Sequence, residues 1–257
     1  MSLSRCEDAI AAKGRPFTGT EYLASLRDGR EVYVYGERVE DVTEHPAFRN
    51  AARSIARLYD ALHDPKSKEL LTSPTDTGSG GYTHKFFRAA RSREELLAQR
   101  DAIAQWARLS YGWMGRSPDY KASLMNTLGA NHRFYGKFSG NAQAWYRRAQ
   151  EHVLFMNHAI VNPPVDRAKA VDEVKDVFIN IRKETDAGIY VSGAKVVATS
   201  SALTHYNFLG QNAAVPTHDT DLAVMFIAPM NAPGVPWLQR LAGRFCTPYE
   251  TRLASIG

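Results

Sequence analysis

Arg116 and Tyr120 fall in the segment Trp113-Met-Gly-Arg-Ser-Pro-Asp-Tyr120, where a glycine, a proline, a guanidinium and a phenol share one break in a helical pattern. Bends of this kind aim side chains into pockets, where a guanidinium can serve as a ligand clamp. The same composition serves an ordinary interhelix turn, in which the arginine donates to local carbonyls. His158 is the second candidate. The apolar pattern puts it at the end of a helix, directly before a β-rich half, where an imidazole can face a cleft. A helix-terminal histidine bonded to free carbonyls is the simpler reading of the same position.

Other constellations fail on context. The run Thr75-Asp-Thr-Gly-Ser-Gly-Gly-Tyr82 is rich enough in glycine to cradle a phosphate. However, no strand is expected before it and no Lys-Ser or Lys-Thr pair follows it, so it reads as a structural or lid loop between helices. Eight histidines and two cysteines show no zinc spacing, and no metal is expected. No Ser, Cys or acid arrangement points to a hydrolase.

The elements that must position these residues change character along the chain. After Pro46, Phe48, Ala51, Ala52, Ile55, Leu58, Tyr59 and Leu62 keep the three-and-four spacing of a helix with one buried stripe. Ser92 followed by Glu95 has the form of a capping box, and Leu96, Ile103 and Ala107 predict the buried face of the helix it starts, up to Gly112 and Gly115. Ala142, Trp145, Tyr146, Ala149, Val153 and Met156 predict a third helix over Ser139 to about Met156. Asn162-Pro163-Pro164 then breaks the pattern, and period-two alternation follows through Val177, Ile179 and Ile181. Ile189 to Thr199, with a Ser192-Gly193 turn, and Asp221 to Pro229 are further strand candidates. The expected fold class is α+β, with a helical domain over 1–155 and a β domain over 156–257.

The 257 residues are 44% hydrophobic and 23% charged, which is globular composition and excludes a disordered tail, a collagen repeat or a coiled-coil rod. A formal charge of +5 is spread among acids rather than clustered, so no nucleic-acid partner is expected. The longest apolar runs are too short to cross a bilayer, and Glu7 and Asp8 stand where a signal peptide needs an apolar core. Cys6 and Cys246 form no secreted disulfide framework. The expectation is a cytoplasmic protein with no membrane partner.

Several segments together resemble the oxygenase components of the 4-hydroxyphenylacetate 3-monooxygenase family, two-component flavin-dependent phenol hydroxylases. They are Arg15-Pro-Phe-Thr-Gly-Thr-Glu-Tyr-Leu23, Asp28-Gly-Arg-Glu-Val-Tyr-Val-Tyr-Gly-Glu-Arg38, His45-Pro-Ala-Phe-Arg-Asn-Ala-Ala52, Thr75 to Phe87, Leu109 to Lys121, Asn157-His-Ala-Ile-Val-Asn-Pro-Pro164, Glu184-Thr-Asp-Ala-Gly188 and Ser192-Gly-Ala-Lys-Val-Val-Ala-Thr199. The resemblance implies an acyl-CoA dehydrogenase-like fold of helical domain, middle β domain and C-terminal helical bundle. It extends to about residue 235. Beyond that point the sequence is expected to leave the family's pattern, with the bundle missing.

By the same resemblance Arg116, Tyr120 and His158 surround the substrate phenol and the reactive flavin edge, and Ala213 and Ala214 lie near the substrate carboxylate. His158, Ala159, Ile160, Pro164, Val165, Asp166, Arg167 and Thr199 fall at flavin contacts. The implied activity is hydroxylation of 4-hydroxyphenylacetate ortho to its phenol, with molecular oxygen and reduced FAD supplied by a separate reductase, in a family of homo-oligomers. Two alternatives accompany it: an inactive truncated remnant, and a hydroxylase of a related para-substituted phenol. The 4-hydroxybutyryl-CoA dehydratases share the broad fold but require an iron–sulfur cluster, against which the lack of internal cysteines argues.

Overall fold

A computed structural model describes residues 14–166, 168–186, 188–211, 220–234, 236–240 and 254–256. Cys6, Arg167, Ala213, Ala214 and Cys246 lie outside them. The described chain runs from helix α1 (Gly19–Ser25) through strands β1 (Val32–Val34) and β2 (Glu37–Val39) to helices α2 (Arg49–Asp60) and α3 (Pro65–Leu71). Strands β3 (Thr72–Pro74) and β4 (Tyr82–His84) precede helices α4 (Arg93–Leu109), α5 (Ala122–Ala130) and α6 (Ser139–His152). Strand β5 (Met156–Ala159), the single helical turn α7 (Val171–Val174), β6 (Asn180–Thr185), β7 (Gly188–Ser192), β8 (Tyr206–Leu209), β9 (Phe226–Pro229), β10 (Trp237–Arg240) and β11 (Ala254–Ile256) complete it.

These elements form two compact units. One holds the described residues up to Gly29, Asp41–Met156 and Leu203–His205; the other holds Arg30–Glu40, Asn157–Ala202 and the described residues from Tyr206 onward. The division therefore departs from a single cut after residue 155. Residues 30–40 belong to the β-rich unit because β1 pairs with β2 and, in parallel, with β10. The β1–β2 hairpin turns on Tyr35 and Gly36, at φ 54° and 87°, the left-handed pair that matches the twist of its strands.

In the helical unit, α1 starts with a reciprocal cap. Thr18 Oγ1 accepts from Glu21 N at 3.2 Å and the Glu21 carboxylate accepts from Thr18 N at 2.8 Å. Arg15 clamps that carboxylate at 2.7 and 2.8 Å. Helix α2 buries Ala52, Ile55, Leu58 and Tyr59, as its spacing predicts. Around it the rings of Tyr22 and Tyr59 stack at 4.8 Å and those of Phe17 and His205 at 5.2 Å. Each buried aromatic contributes roughly 1.5–3 kcal/mol by leaving water. The polar atoms of this core are matched: Tyr22 donates to the Leu203 carbonyl at 2.8 Å, Tyr59 to that of Val153 at 2.7 Å, and His205 Nδ1 accepts from Phe155 N at 3.0 Å.

Two predicted helices need correction. Helix α4 begins at its Ser92 cap, but the face it buries is Gln99, Ala102 and Trp106, while Leu96 is 59% exposed. Trp106 sets that rotation by stacking on the buried His84 at 3.9 Å, and the Gln99 amide donates to the carbonyls of Lys85 and Arg88 at 3.1 and 2.6 Å. Helix α6 stops at His152 because Val153 adopts φ 54°, a left-handed backbone that cannot continue the helix. Met156 and His158 consequently stand in strand β5 rather than at a helix end.

The glycine run also differs from expectation. Strand β3 does precede it, and the run closes a β3–β4 hairpin rather than joining helices. Asp76 fastens that loop to α6: its carboxylate accepts from the Tyr146 hydroxyl and Gln150 Nε2, each at 2.9 Å, while Thr77 donates to Glu151 at 2.6 Å. Burial, with the Asp76 charge adding, pushes the Tyr146 hydroxyl up to about 12.

In the β-rich unit, β8 and β9 pair antiparallel in the sheet β5-β8-β9, and Ile179, Leu209, Val224 and Ala228 form a small core beneath Ile181 and Phe226. Strands β6 and β7 form a separate ribbon. Among the described residues no helix is long and apolar enough to cross a membrane.

Candidate functional site

The Arg116 segment takes its shape from two chain reversals. Helix α4 ends as Gly112 N reaches back to the Ala107 carbonyl at 2.8 Å. Pro118 then starts a 3₁₀ turn over Pro118–Lys121 and holds Ser117 extended before it. This turn folds Tyr120 beneath Arg116, whose guanidinium carbon lies 4.0 Å from the ring centroid. The Lys121 ammonium lies 4.7 Å from the same ring. Two cations on one phenol ring make a positively charged aromatic spot.

Arg116 Nη1 donates to the Gly115 carbonyl at 2.8 Å, and among the described residues its buried Nε meets no acceptor. Burial and the Arg116 charge hold the Lys121 ammonium below its usual range, while burial raises the Asp119 carboxyl even though Ser117 donates to it at 2.5 Å.

The flavin residues implied by the resemblance gather in the other unit along two facing segments. His158 is the half-buried member of β5, between the buried Asn157 and Ala159. Asn157 donates through Nδ2 to the Thr199 carbonyl and to Ser201 Oγ. Val196 N donates to the Val161 carbonyl at 2.9 Å across an antiparallel bridge. Residues 157–162 and 195–201 thus run side by side and bring His158, Ala159 and Ile160 onto one ribbon with Thr199. Thr199 sits between Val197 and Ser200, at φ 63° and 69°, strained positions for non-glycine residues. Pro164 and Asp166 continue from the ribbon with exposed side chains, Val165 between them being half-buried.

Lys195 is the residue that spacing did not single out. It is 3% exposed and donates to Asn162 Oδ1 at 2.6 Å, Gln211 Oε1 at 2.7 Å and the Ile160 carbonyl at 3.4 Å. All three acceptors are neutral, and burial pushes the ammonium down to about 8. Lys195 stands inside the segment Ser192–Thr199, so its type was visible, but its partners 33 and 16 residues away were not. Arg116 and Tyr120 belong to the helical unit and His158 to the β-rich unit.

Residues 18–251 match the sequence model of the family described as 4-hydroxyphenylacetate 3-hydroxylase N terminal. The chain belongs to this family. The family match runs past residue 235, where the sequence was expected to leave the pattern.

A family member from Pseudomonas aeruginosa, a 4-hydroxyphenylacetate 3-monooxygenase oxygenase component, is 65% identical over 255 residues, covering 97% of this chain and 49% of the relative. A 4-nitrophenol 2-monooxygenase oxygenase component from Rhodococcus is 56% identical over 243 residues, covering 95% of this chain and 45% of that relative. The chain spans about half the length of the curated relatives it matches. The crystal structure of an oxygenase component of 4-hydroxyphenylacetate 3-monooxygenase complexed with FAD and 4-hydroxyphenylacetate superposes with a TM-score of 0.82 at 30% identity, over 93% of this chain and 52% of that one. An archaeal 4-hydroxybutyryl-CoA dehydratase from N. maritimus superposes with a TM-score of 0.73 at 25% identity, over 90% of this chain and 46% of that one. The family fold is acyl-CoA dehydrogenase-like, and the chain carries its helical and β-rich portions.

Proposed function

We propose that this chain supplies the phenol- and flavin-contacting residues of a reduced-FAD-dependent monooxygenase that converts 4-hydroxyphenylacetate to 3,4-dihydroxyphenylacetate. The observation that carries the reading is the Arg116–Tyr120 pair, with its unpartnered guanidinium nitrogen, in a chain 65% identical to an oxygenase component of that name. In this reading the Arg116 guanidinium and the Tyr120 hydroxyl hold the phenol oxygen, and the His158 imidazole is assigned to the phenol by the resemblance. A guanidinium beside a phenol of ordinary pKa about 10 favours the phenolate, and phenolate character places electron density on the ortho carbon. Ala213 and Ala214 are assigned to the carboxylate end of the substrate.

The donor set of the β-rich unit fits FAD. A buried ammonium with neutral partners complements an anionic group. His158, Ala159, Ile160 and Thr199 lie along one ribbon from which Pro164 to Asp166 continue, and Arg167 is assigned to the flavin by the resemblance alone. When bound, reduced FAD supplies two electrons and activates dioxygen; one oxygen atom replaces the ortho hydrogen as hydroxyl and the other leaves as water. The partners are a separate flavin reductase and a cytoplasmic pool of reduced flavin. The Rhodococcus relative, named for 4-nitrophenol, supports a second reading in which the para substituent is something other than acetate.

The test joins this chain to the remaining half of the Pseudomonas relative, with reductase and NADH, and measures catechol by chromatography across a panel of para-substituted phenols. Arg116→Ala is expected to lower hydroxylation by about thirty- to a thousand-fold, equivalent to roughly 2–4 kcal/mol, and to release peroxide while FAD affinity changes little. Unchanged hydroxylation refutes the role of Arg116. A joined chain that yields no catechol while the relative is active favours an inactive remnant.

A further inference from the structure

A lysine buried to 3% exposure generally requires a carboxylate, because an ammonium removed from water without a counter-charge is costly. Lys195 has none among the described residues. Its ammonium instead gathers three neutral oxygens from three places in the chain: the Ile160 carbonyl, Asn162 Oδ1 and Gln211 Oε1. Gln211 is itself fixed, donating through Nε2 to the Leu222 carbonyl at 2.8 Å. Asn162 directly precedes Pro163 and Pro164, so the ammonium holds the residue at which the chain leaves the ribbon toward Val165 and Asp166. A hydrophobic residue would fill the same volume without the cost of desolvating a charge, which leaves the charge itself to be explained.

We infer that Lys195 is the positioning residue of the flavin ribbon: it ties Ile160, Asn162 and Gln211 into one arrangement and presents a positive charge that favours the anionic, reduced form of the cofactor over the neutral, oxidised form. This rests on the flavin reading above. Reduced flavin carries a negative charge that oxidised flavin lacks, so a fixed cation discriminates between them electrostatically, whereas a purely structural lysine would affect both forms alike.

The experiment titrates the full chain, and its Lys195→Met and Lys195→Arg variants, with oxidised FAD by fluorescence and with anaerobically reduced FAD by absorbance. The expected result is tighter binding of the reduced form by the unaltered chain, a loss of at least about tenfold of that preference in Lys195→Met, and its recovery in Lys195→Arg. Circular dichroism reports folding, and Lys195→Gln carries the same expectation if Lys195→Met does not fold. Equal binding of both forms by the unaltered chain, or an unchanged preference in a folded variant without the charge, overturns the inference alone. Failure to bind either form both alone and when joined to the remaining half of the Pseudomonas relative overturns the flavin reading as well.

Discussion

Acid should loosen the helical unit at one identifiable residue. His84 is fully buried, with its ring stacked on Trp106 at 3.9 Å. Its Nδ1 accepts from Phe86 N at 3.2 Å, and among the described residues no acceptor meets hydrogen-bond geometry at Nε2. Burial lowers the imidazole from 6.5 to about 3, the Ala102 carbonyl opposing and the Lys85 charge adding. The folded pKa lies below the unfolded one, so between those values the unfolded chain binds more protons and stability falls as pH falls. At pH 4.5 the unfolded histidine is protonated and the folded one is not, a gap of about two pH units below 6.5, worth roughly 3 kcal/mol. His84→Phe keeps a ring against Trp106 and removes the titration. Urea unfolding at pH 7 and 4.5, followed by tryptophan emission, should show the unaltered chain losing about 2–3 kcal/mol more than the variant. At pH 7 the variant should be less stable by about 1 kcal/mol, for the lost acceptor at Phe86 N. Parallel losses in the two proteins would refute the assignment of a neutral, proton-resistant His84.

Gly19→Ala should be destabilising because a Cβ there would stand 2.5 Å from both the Ala56 carbonyl oxygen and Asp60 Oδ2. Overpacking of about 1–3 kcal/mol should appear as a melting-temperature decrease of several degrees in calorimetry. Tyr146→Phe removes the donor to Asp76 and the acceptor for Ala89 N at 3.0 Å, so hydrogen exchange in the loop of residues 75–81 should accelerate by about tenfold. Unchanged exchange would mean that the loop is held without the tyrosine.

Periodicity made α2 legible because its stripe of Ala52, Ile55, Leu58 and Tyr59 packs through the helix's own repeat. It misplaced the buried face of α4 because the partner that fixes Trp106 is His84, on a strand of three residues, too short to announce itself by alternation. The end of α6 was hidden for a different reason: the left-handed residue that stops it is Val153, a type that ordinarily avoids that backbone, where a glycine would have marked the stop. For the candidate site, spacing showed a helix break at Arg116 and little more. The grouping of His158, Ile160 and Thr199 depends on pairing between segments some forty residues apart, as in the Asn157–Thr199 bond, and was reached by family resemblance. Lys195 escaped both routes because a lysine in a β-rich segment ordinarily points to solvent.

The three residues Leu203–His205 have a consequence for how this protein is made. They complete the core of a unit whose other described residues end at Met156. Tyr22 waits for the Leu203 carbonyl, a contact spanning 181 residues, and Phe17 and Ser25 wait for the His205 ring. During synthesis the helices can form early, but their aromatic core stays open until residue 205 has left the ribosome, with most of the intervening β-rich segments already exposed. A nascent chain stalled before residue 203 should remain protease-sensitive in its first 150 residues, and one stalled well beyond residue 205 should not.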